Sequence, residues 1–109
     1  MPKQQTIVID PKKILWTKIR TGYYRKDLCE DKKKKKFLSL LKITRHARLK
    51  KHSHPDTEWV YVLKGAYADE YSRVRAGMVK INFKDSQHMG KTNGCLLLVL
   101  WSGKHISVS

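Results

Sequence analysis

Short runs of apolar residues alternate with turn signals along the chain. The runs are rich in β-branched, aromatic and leucine side chains, which is typical of strands. Pairs such as Ala76-Gly77 and Asn93-Gly94 separate them and favour turns. This rhythm predicts an all-β domain, an antiparallel sandwich or barrel. The predicted strands are residues 7–9, 14–16, 37–43, 58–63, 78–83 and 95–101, with turns also expected at 10–11, 21–22, 64–65 and 102–103.

Alternation within the strand at 58–63 predicts which side chains share a face, because successive side chains of a strand point to opposite sides. If Glu58 points inward, Val60 and Val62 do as well, and Trp59, Tyr61 and Leu63 lie on the other face. The strand at 95–101 is apolar throughout, so its phase stays open. Either Cys95, Leu97, Val99 and Trp101 or their alternates line the interior.

Length and composition narrow the class of protein. The 109 residues suit one domain, which we divide into an N-terminal arm at 1–13 and a folded domain at 14–109. With 40% hydrophobic and 30% charged residues, the chain is too apolar for a disordered tail and too polar for a membrane protein. No signal-peptide core is visible, so a cytoplasmic location and two free thiols, Cys29 and Cys95, are expected.

The net charge of +15 is concentrated in the first half of the chain. Residues 1–51 carry 17 basic and 4 acidic side chains, whereas residues 52–109 carry 7 and 5. Basic chains bind nucleic acids by releasing counterions, so a nucleic-acid-associated protein is one hypothesis. The five lysines at 32–36 repel one another, however, and we predict a solvated loop there.

Candidate metal ligands are concentrated in one segment. His52 and His54 are two residues apart, which places them on one face of an extended strand, and a bend at Pro55-Asp56 can bring Glu58 beside them. Imidazole nitrogens with a carboxylate suit zinc, iron, manganese, nickel or copper. His88 is the natural fourth ligand from a later strand. His46 and His105 are interpreted as ordinary surface or core histidines and are left out of the site.

The spacing His52-x-His54-x3-Glu58-x6-Gly65 resembles the first cupin motif, and Gly77 to His88 is similar to the second. Phe83 and Asp85 stand where the second motif usually has Pro and Gly, which alters the turn before His88. Across residues 14–102 the chain is similar to the cupin domain of ChrR-type anti-sigma factors, a family that also holds stand-alone cupins such as acetylacetone-cleaving dioxygenases. The resemblance implies the cupin half of that architecture, and we expect it to occur here without the zinc-binding helical segment that precedes the cupin in those anti-sigma factors.

The resemblance implies a single-domain cupin, a jelly-roll barrel that holds one divalent metal (Fe, Zn, Mn or Ni) through the four ligands named above. Three functions follow as hypotheses. The first and favoured one is a metalloenzyme of the oxygenase type acting on a small molecule, in which Tyr71 or Cys95 could lie near the metal. The second is a non-catalytic sensor, and the third is the nucleic-acid-associated protein with a structural metal. A homodimer is expected, in which a strand at 6–10 pairs with a second subunit, and a membrane is not an expected partner.

Overall fold

The fold consists almost entirely of antiparallel strands. The computed structural model describes residues 5–45, 47, 52–53, 56–85, 87–88 and 90–102. In these residues one 3-10 turn, Pro11–Lys13, is followed by nine strands, and there is no α-helix. The all-β prediction is therefore confirmed. The strands are β1 Thr17–Arg20, β2 Tyr23–Asp31, β3 Lys36–Thr44, β4 His52–Ser53, β5 Glu58–Ala68, β6 Arg73–Arg75, β7 Val79–Asn82, β8 Gln87–His88 and β9 Gly94–Ser102.

Seven of the strands form one sheet in which distant parts of the chain are neighbours. The order is β1-β2-β3-β9-β5-β6, and β7 pairs with the first part of β5. The last strand, β9, lies between β3 and β5, so it joins the two halves of the sheet. Strands β4 and β8 form a separate two-stranded sheet, and these two carry predicted metal ligands.

The core lies on one side of the large sheet, and burial along β5 alternates as predicted. Val60 and Val62 are buried, whereas Trp59, Tyr61 and Leu63 on the opposite side are exposed. The phase of β9, which the sequence left open, is settled by the same criterion. Cys95, Leu97 and Val99 are buried in the core, and Trp101 packs against it. We call this side of the sheet the interior.

Three local predictions differ from the structure. Residues 7–9 and 14–16 are not in strands, and Ile7 and Val8 are exposed. Gly65, predicted to lie in a turn, lies within β5 at φ +75°, next to a register shift between Val62 and Lys64. This shift is a bulge, which accommodates a glycine without ending the strand. The nine-residue strand β2 was not predicted at all.

Most of the other local predictions are confirmed where the structure describes them, although Ser102, predicted to lie in a turn, is the last residue of β9. Residues 32–35 form an exposed turn between β2 and β3, and the carboxylate of Asp31 accepts hydrogen bonds from the backbone N–H groups of Lys33 and Lys34, both at 3.1 Å. Cys29 and Cys95 are free thiols. Across the described residues, no helix has the length and hydropathy that a membrane span requires.

Candidate functional site

Two of the predicted metal ligands lie on neighbouring strands and in register. The backbone of His52 in β4 pairs directly with that of His88 in β8. Directly opposed residues of an antiparallel pair have Cα atoms only about 4.5–5.5 Å apart. The fold thus brings together two positions that are 36 residues apart in sequence. His54 lies outside the described residues, as do His46 and His105, and for His52 and His88 the description covers the backbone.

The third predicted ligand, Glu58, begins β5 on the interior side. It is half-buried, and its Oε1 accepts a hydrogen bond from Nδ2 of Asn82 at 3.0 Å. Asn82 is buried and is the register partner of Glu58 in β7. A neutral amide donor orients a carboxylate without neutralising it. Asn82 therefore positions the Glu58 carboxylate, although no three His, Cys, Asp or Glu side chains of the described part converge at metal-binding distance.

Two tyrosines lie on the interior side within electrostatic reach of Glu58. The pKa of Tyr23 is raised to about 12, chiefly by burial and also by the Glu58 carboxylate, while Arg20 and Arg25 act in the opposite direction. Burial also raises the pKa of Tyr67, again with contributions from Asp69 and Glu58. Both phenols therefore stay protonated at neutral pH and are hydrogen-bond donors rather than bases.

An ion pair between Lys80 and Asp69 lies beside Tyr67. The ammonium of Lys80 contacts the carboxylate of Asp69, whose side chain is 1% exposed, and it also lies 5.0 Å from the centroid of the Tyr67 ring. Burial opposes ionisation of Asp69, but the hydrogen bonds from Lys80 and from the Tyr71 backbone lower its pKa to about 2. The carboxylate and the ammonium thus compensate each other, and neither needs a metal or ligand for this purpose.

A chain of polar contacts links β2, β3 and β9 on the interior side of the sheet. The indole N–H of Trp101 donates to the hydroxyl of Ser39 at 3.0 Å, and that hydroxyl donates to Asp27 Oδ1 at 2.8 Å. The same carboxylate oxygen lies 3.0 Å from Nε of Arg25. Ser39 is fully buried, so the chain is a fixed part of the fold.

The sequence analysis missed the contribution of β2 to this interior. Tyr23, Arg25 and Asp27 pair with the inward residues Ile43, Leu41 and Ser39 of β3. Apolar and polar residues do not alternate between Tyr23 and Asp27, so the sequence pattern gave no strand signal there. Of the two residues suggested as neighbours of the metal, Cys95 is buried and burial raises its pKa, whereas Tyr71 is 79% exposed. The Tyr71 side chain therefore lies outside the buried core.

The arrangement of strands matches solved cupin structures. An RmlC-like cupin protein from Ralstonia eutropha superposes with a TM-score of 0.82 at 17% identity, over 91% of this chain and 69% of that one. A chain in the complex of Rhodobacter sphaeroides SigE with the anti-sigma ChrR gives 0.74 at 23% identity, over 84% and 51%. An acetylacetone dioxygenase from Acinetobacter johnsonii gives 0.76 at 10% identity, over 94% and 76%. At these identities the likeness establishes a cupin fold.

The sequence itself assigns the family. The family model described as the ChrR cupin-like domain matches residues 4–102. The chain therefore belongs to the ChrR cupin-like family, as its motifs indicated. A comparison with curated proteins found no match. The chain spans about half the length of the chain that it matches in the SigE–ChrR complex.

Proposed function

We propose that this protein is a metal-binding cupin that holds one divalent transition metal through His52, His54, Glu58 and His88. The observation that carries the proposal is the direct pairing of the His52 and His88 backbones, on strands whose spacing from Glu58 follows the cupin motif. Three imidazoles and a carboxylate form a donor set that suits iron, zinc, manganese or nickel, and such a set leaves coordination positions open for a ligand.

The favoured activity is oxygen-dependent cleavage of a small molecule that chelates the metal through two oxygen atoms, such as a β-diketone. A bound metal would supply Lewis acidity and a template for the two oxygen atoms. Side chains of the protein itself would position the ligands and exclude water. Asn82 orients Glu58, the protonated phenols of Tyr23 and Tyr67 donate hydrogen bonds, and the buried valines exclude water. The likeness to an acetylacetone dioxygenase of the same fold supports this choice.

Oxygen uptake tests the enzymatic part of the proposal. Protein reconstituted anaerobically with iron(II) is mixed with oxygen and a panel of β-diketones and related chelating acids. We expect uptake stoichiometric with substrate loss, and loss of activity in Glu58→Gln, which removes the ligand charge but preserves the shape of the side chain. Oxygen uptake without substrate loss, or no oxygen uptake with any compound of the panel while the metal is bound, would instead favour the sensor hypothesis.

We also propose that two copies of the chain associate through the exposed side of β5. Trp59, Tyr61 and Leu63 lie beside exposed apolar residues of β7 and β9, and contiguous exposed apolar surfaces of this kind mark interaction sites. We call this patch the outer apolar face; it comprises Trp59, Tyr61, Leu63, Val79, Ile81 and Leu100. Its residues carry no charge, so two strongly basic copies can approach there with the least repulsion.

A further inference from the structure

A cation lies on the interior side of the sheet, at a position that the metal-ligand motif does not include. Arg25 pairs with Leu41 in β3, and its side chain is 19% exposed. A guanidinium cannot lose its proton, so its burial must be compensated by partners. In small-molecule sites such an arginine is well suited to bind carboxylates or phosphates, because its planar fork matches their two oxygen atoms.

The surroundings of Arg25 fix the guanidinium and leave part of it available. Its Nε lies 3.0 Å from Asp27 Oδ1, and its Cζ lies 5.7 Å from the centroid of the Trp101 ring. Asp27 and Trp101 are themselves joined through the buried hydroxyl of Ser39. Among the described residues, Asp27 is the one acceptor that Arg25 contacts, and the buried Nε has no hydrogen bond of good geometry. The guanidinium is thus held in place while most of its N–H groups have no acceptor among the described residues, so it is preorganised to bind a ligand.

Arg25 also lies on the same side of the sheet as Glu58, since its register partners run through β3 and β9 to Val62 of β5. Because Trp59 pairs with Leu100, the next residues along the two strands, Glu58 and Trp101, are neighbours. The Tyr23 phenol is influenced by the Glu58 carboxylate and by the Arg25 guanidinium, in opposite directions. The Glu58 carboxylate, the Tyr23 phenol and the Arg25 guanidinium therefore lie on the same side of the sheet, with the phenol within electrostatic reach of both charges.

We propose that Arg25 is a specificity-determining residue that binds a carboxylate group of the small-molecule ligand. The inference rests on the proposed function, since it names the class of ligand for the same interior: a chelating acid rather than a neutral chelator. A singly charged carboxylate fits better than a doubly charged phosphate, because Asp27 already offsets part of the positive charge. The Trp101 ring, stacked on Phe37 at 4.4 Å, offers an apolar wall beside the bound group.

Two chelators that differ in one group test the proposal: pentane-2,4-dione and 2,4-dioxopentanoate, in which a carboxylate replaces a methyl group. Binding of each is measured by calorimetry, and the metal content is determined on the same samples. We expect the acid to bind about ten-fold tighter or more to the wild type. In Arg25→Met that preference should fall below about three-fold, while the affinity for the neutral dione is unchanged. Arg73→Met, an equal loss of charge on an exposed strand position, should keep the preference.

Two results would overturn the assignment: a preference for the acid that persists in a folded Arg25→Met variant, or no binding of the acid by the wild type. If Arg25→Met does not fold, Arg25→Lys retains the charge but loses the planar fork, and it should lose most of the preference. The metal measurement separates the two proposals. If the wild-type protein contains no metal, the proposed metal site is contradicted. If this metal-free protein still prefers the acid, and Arg25→Met abolishes the preference, the assignment of Arg25 is still supported.

Discussion

At the residue scale, single side chains of β2, β5 and β7 determine the chemistry of the interior. Asn82 orients Glu58, Lys80 compensates Asp69, and Asp27 fixes Arg25. Two of these contacts are ion pairs within the fold, and the third positions the Glu58 carboxylate without neutralising it. Such pairing contributes little net stability, because desolvation offsets the attraction, but it defines where a charged ligand can bind.

A residue-scale prediction concerns Gly65, which lies within β5 in a conformation that favours glycine. A Cβ atom at this position would collide with the backbone carbonyl of Gly94, and φ is +75°. We expect Gly65→Ala to lower the free energy of unfolding by more than about 3 kcal/mol, measured by urea titration.

Gly77→Ala is the matched control for that variant. Gly77 also has a positive φ, at +89°, but no atom lies within 4 Å of the position that a Cβ would occupy. The control should therefore show only the conformational cost, about 1–2 kcal/mol. Equal losses for the two variants would show that the close approach of β5 to β9 at Gly94 does not constrain the strand.

At the element scale, the apolar strands could be predicted and the polar ones could not. The strands β3 and β9 are rich in leucine and β-branched residues, and this composition is recognised without knowledge of the neighbouring strands. The strand β2 contains five charged residues, and only its pairing with β3 makes it a strand. The two-residue strands β4 and β8 are too short to leave a local signal.

The candidate site likewise has one part that could be predicted from the sequence and one part that could not. Motif spacing was sufficient to select His52, His54, Glu58 and His88, because the spacing is a property of the sequence. The chain from Trp101 through Ser39 to Asp27 joins residues as much as 62 positions apart, and it exists only because β9 lies beside β3. Sequence reasoning had no access to that neighbour relation, so Arg25 was not recognised.

The outer apolar face gives the element-scale prediction. If β5 and its neighbours form the contact between two copies, sedimentation velocity should give twice the chain mass of 12.8 kDa. Trp59→Lys places a charge within the apolar contact and should shift the protein to a single chain at micromolar concentration.

Tyr71→Lys is the matched control, because Tyr71 is exposed but lies outside the outer apolar face. It should leave the mass unchanged. A wild type that sediments as one chain at all concentrations would contradict the dimer. The pairing of residues 6–10 with a second subunit stays a prediction, consistent with the exposure of Ile7 and Val8.

At the scale of the whole molecule, the charge of +15 describes the surface rather than the site. Proteins that bind single-stranded nucleic acids stack bases on open aromatic rings. In the basic first half, Trp16 already has the ammonium groups of Lys26 and Lys42 over its ring, at 4.7 and 4.8 Å. These contacts occupy the ring that a base would need. The hypothesis itself, which is based on phosphate contacts by the basic residues, stays a prediction.

Metal content tests the central claim most directly. Inductively coupled plasma mass spectrometry of the purified wild type should find about one divalent transition metal per chain and identify the element. His54→Ala should lose most of it, because the variant removes one proposed ligand, and its unfolding temperature should fall toward that of the metal-free wild type. His105→Ala, an equal change outside the proposed ligand set, should keep the metal. A wild type without metal, or an unchanged metal content in His54→Ala, would contradict the account.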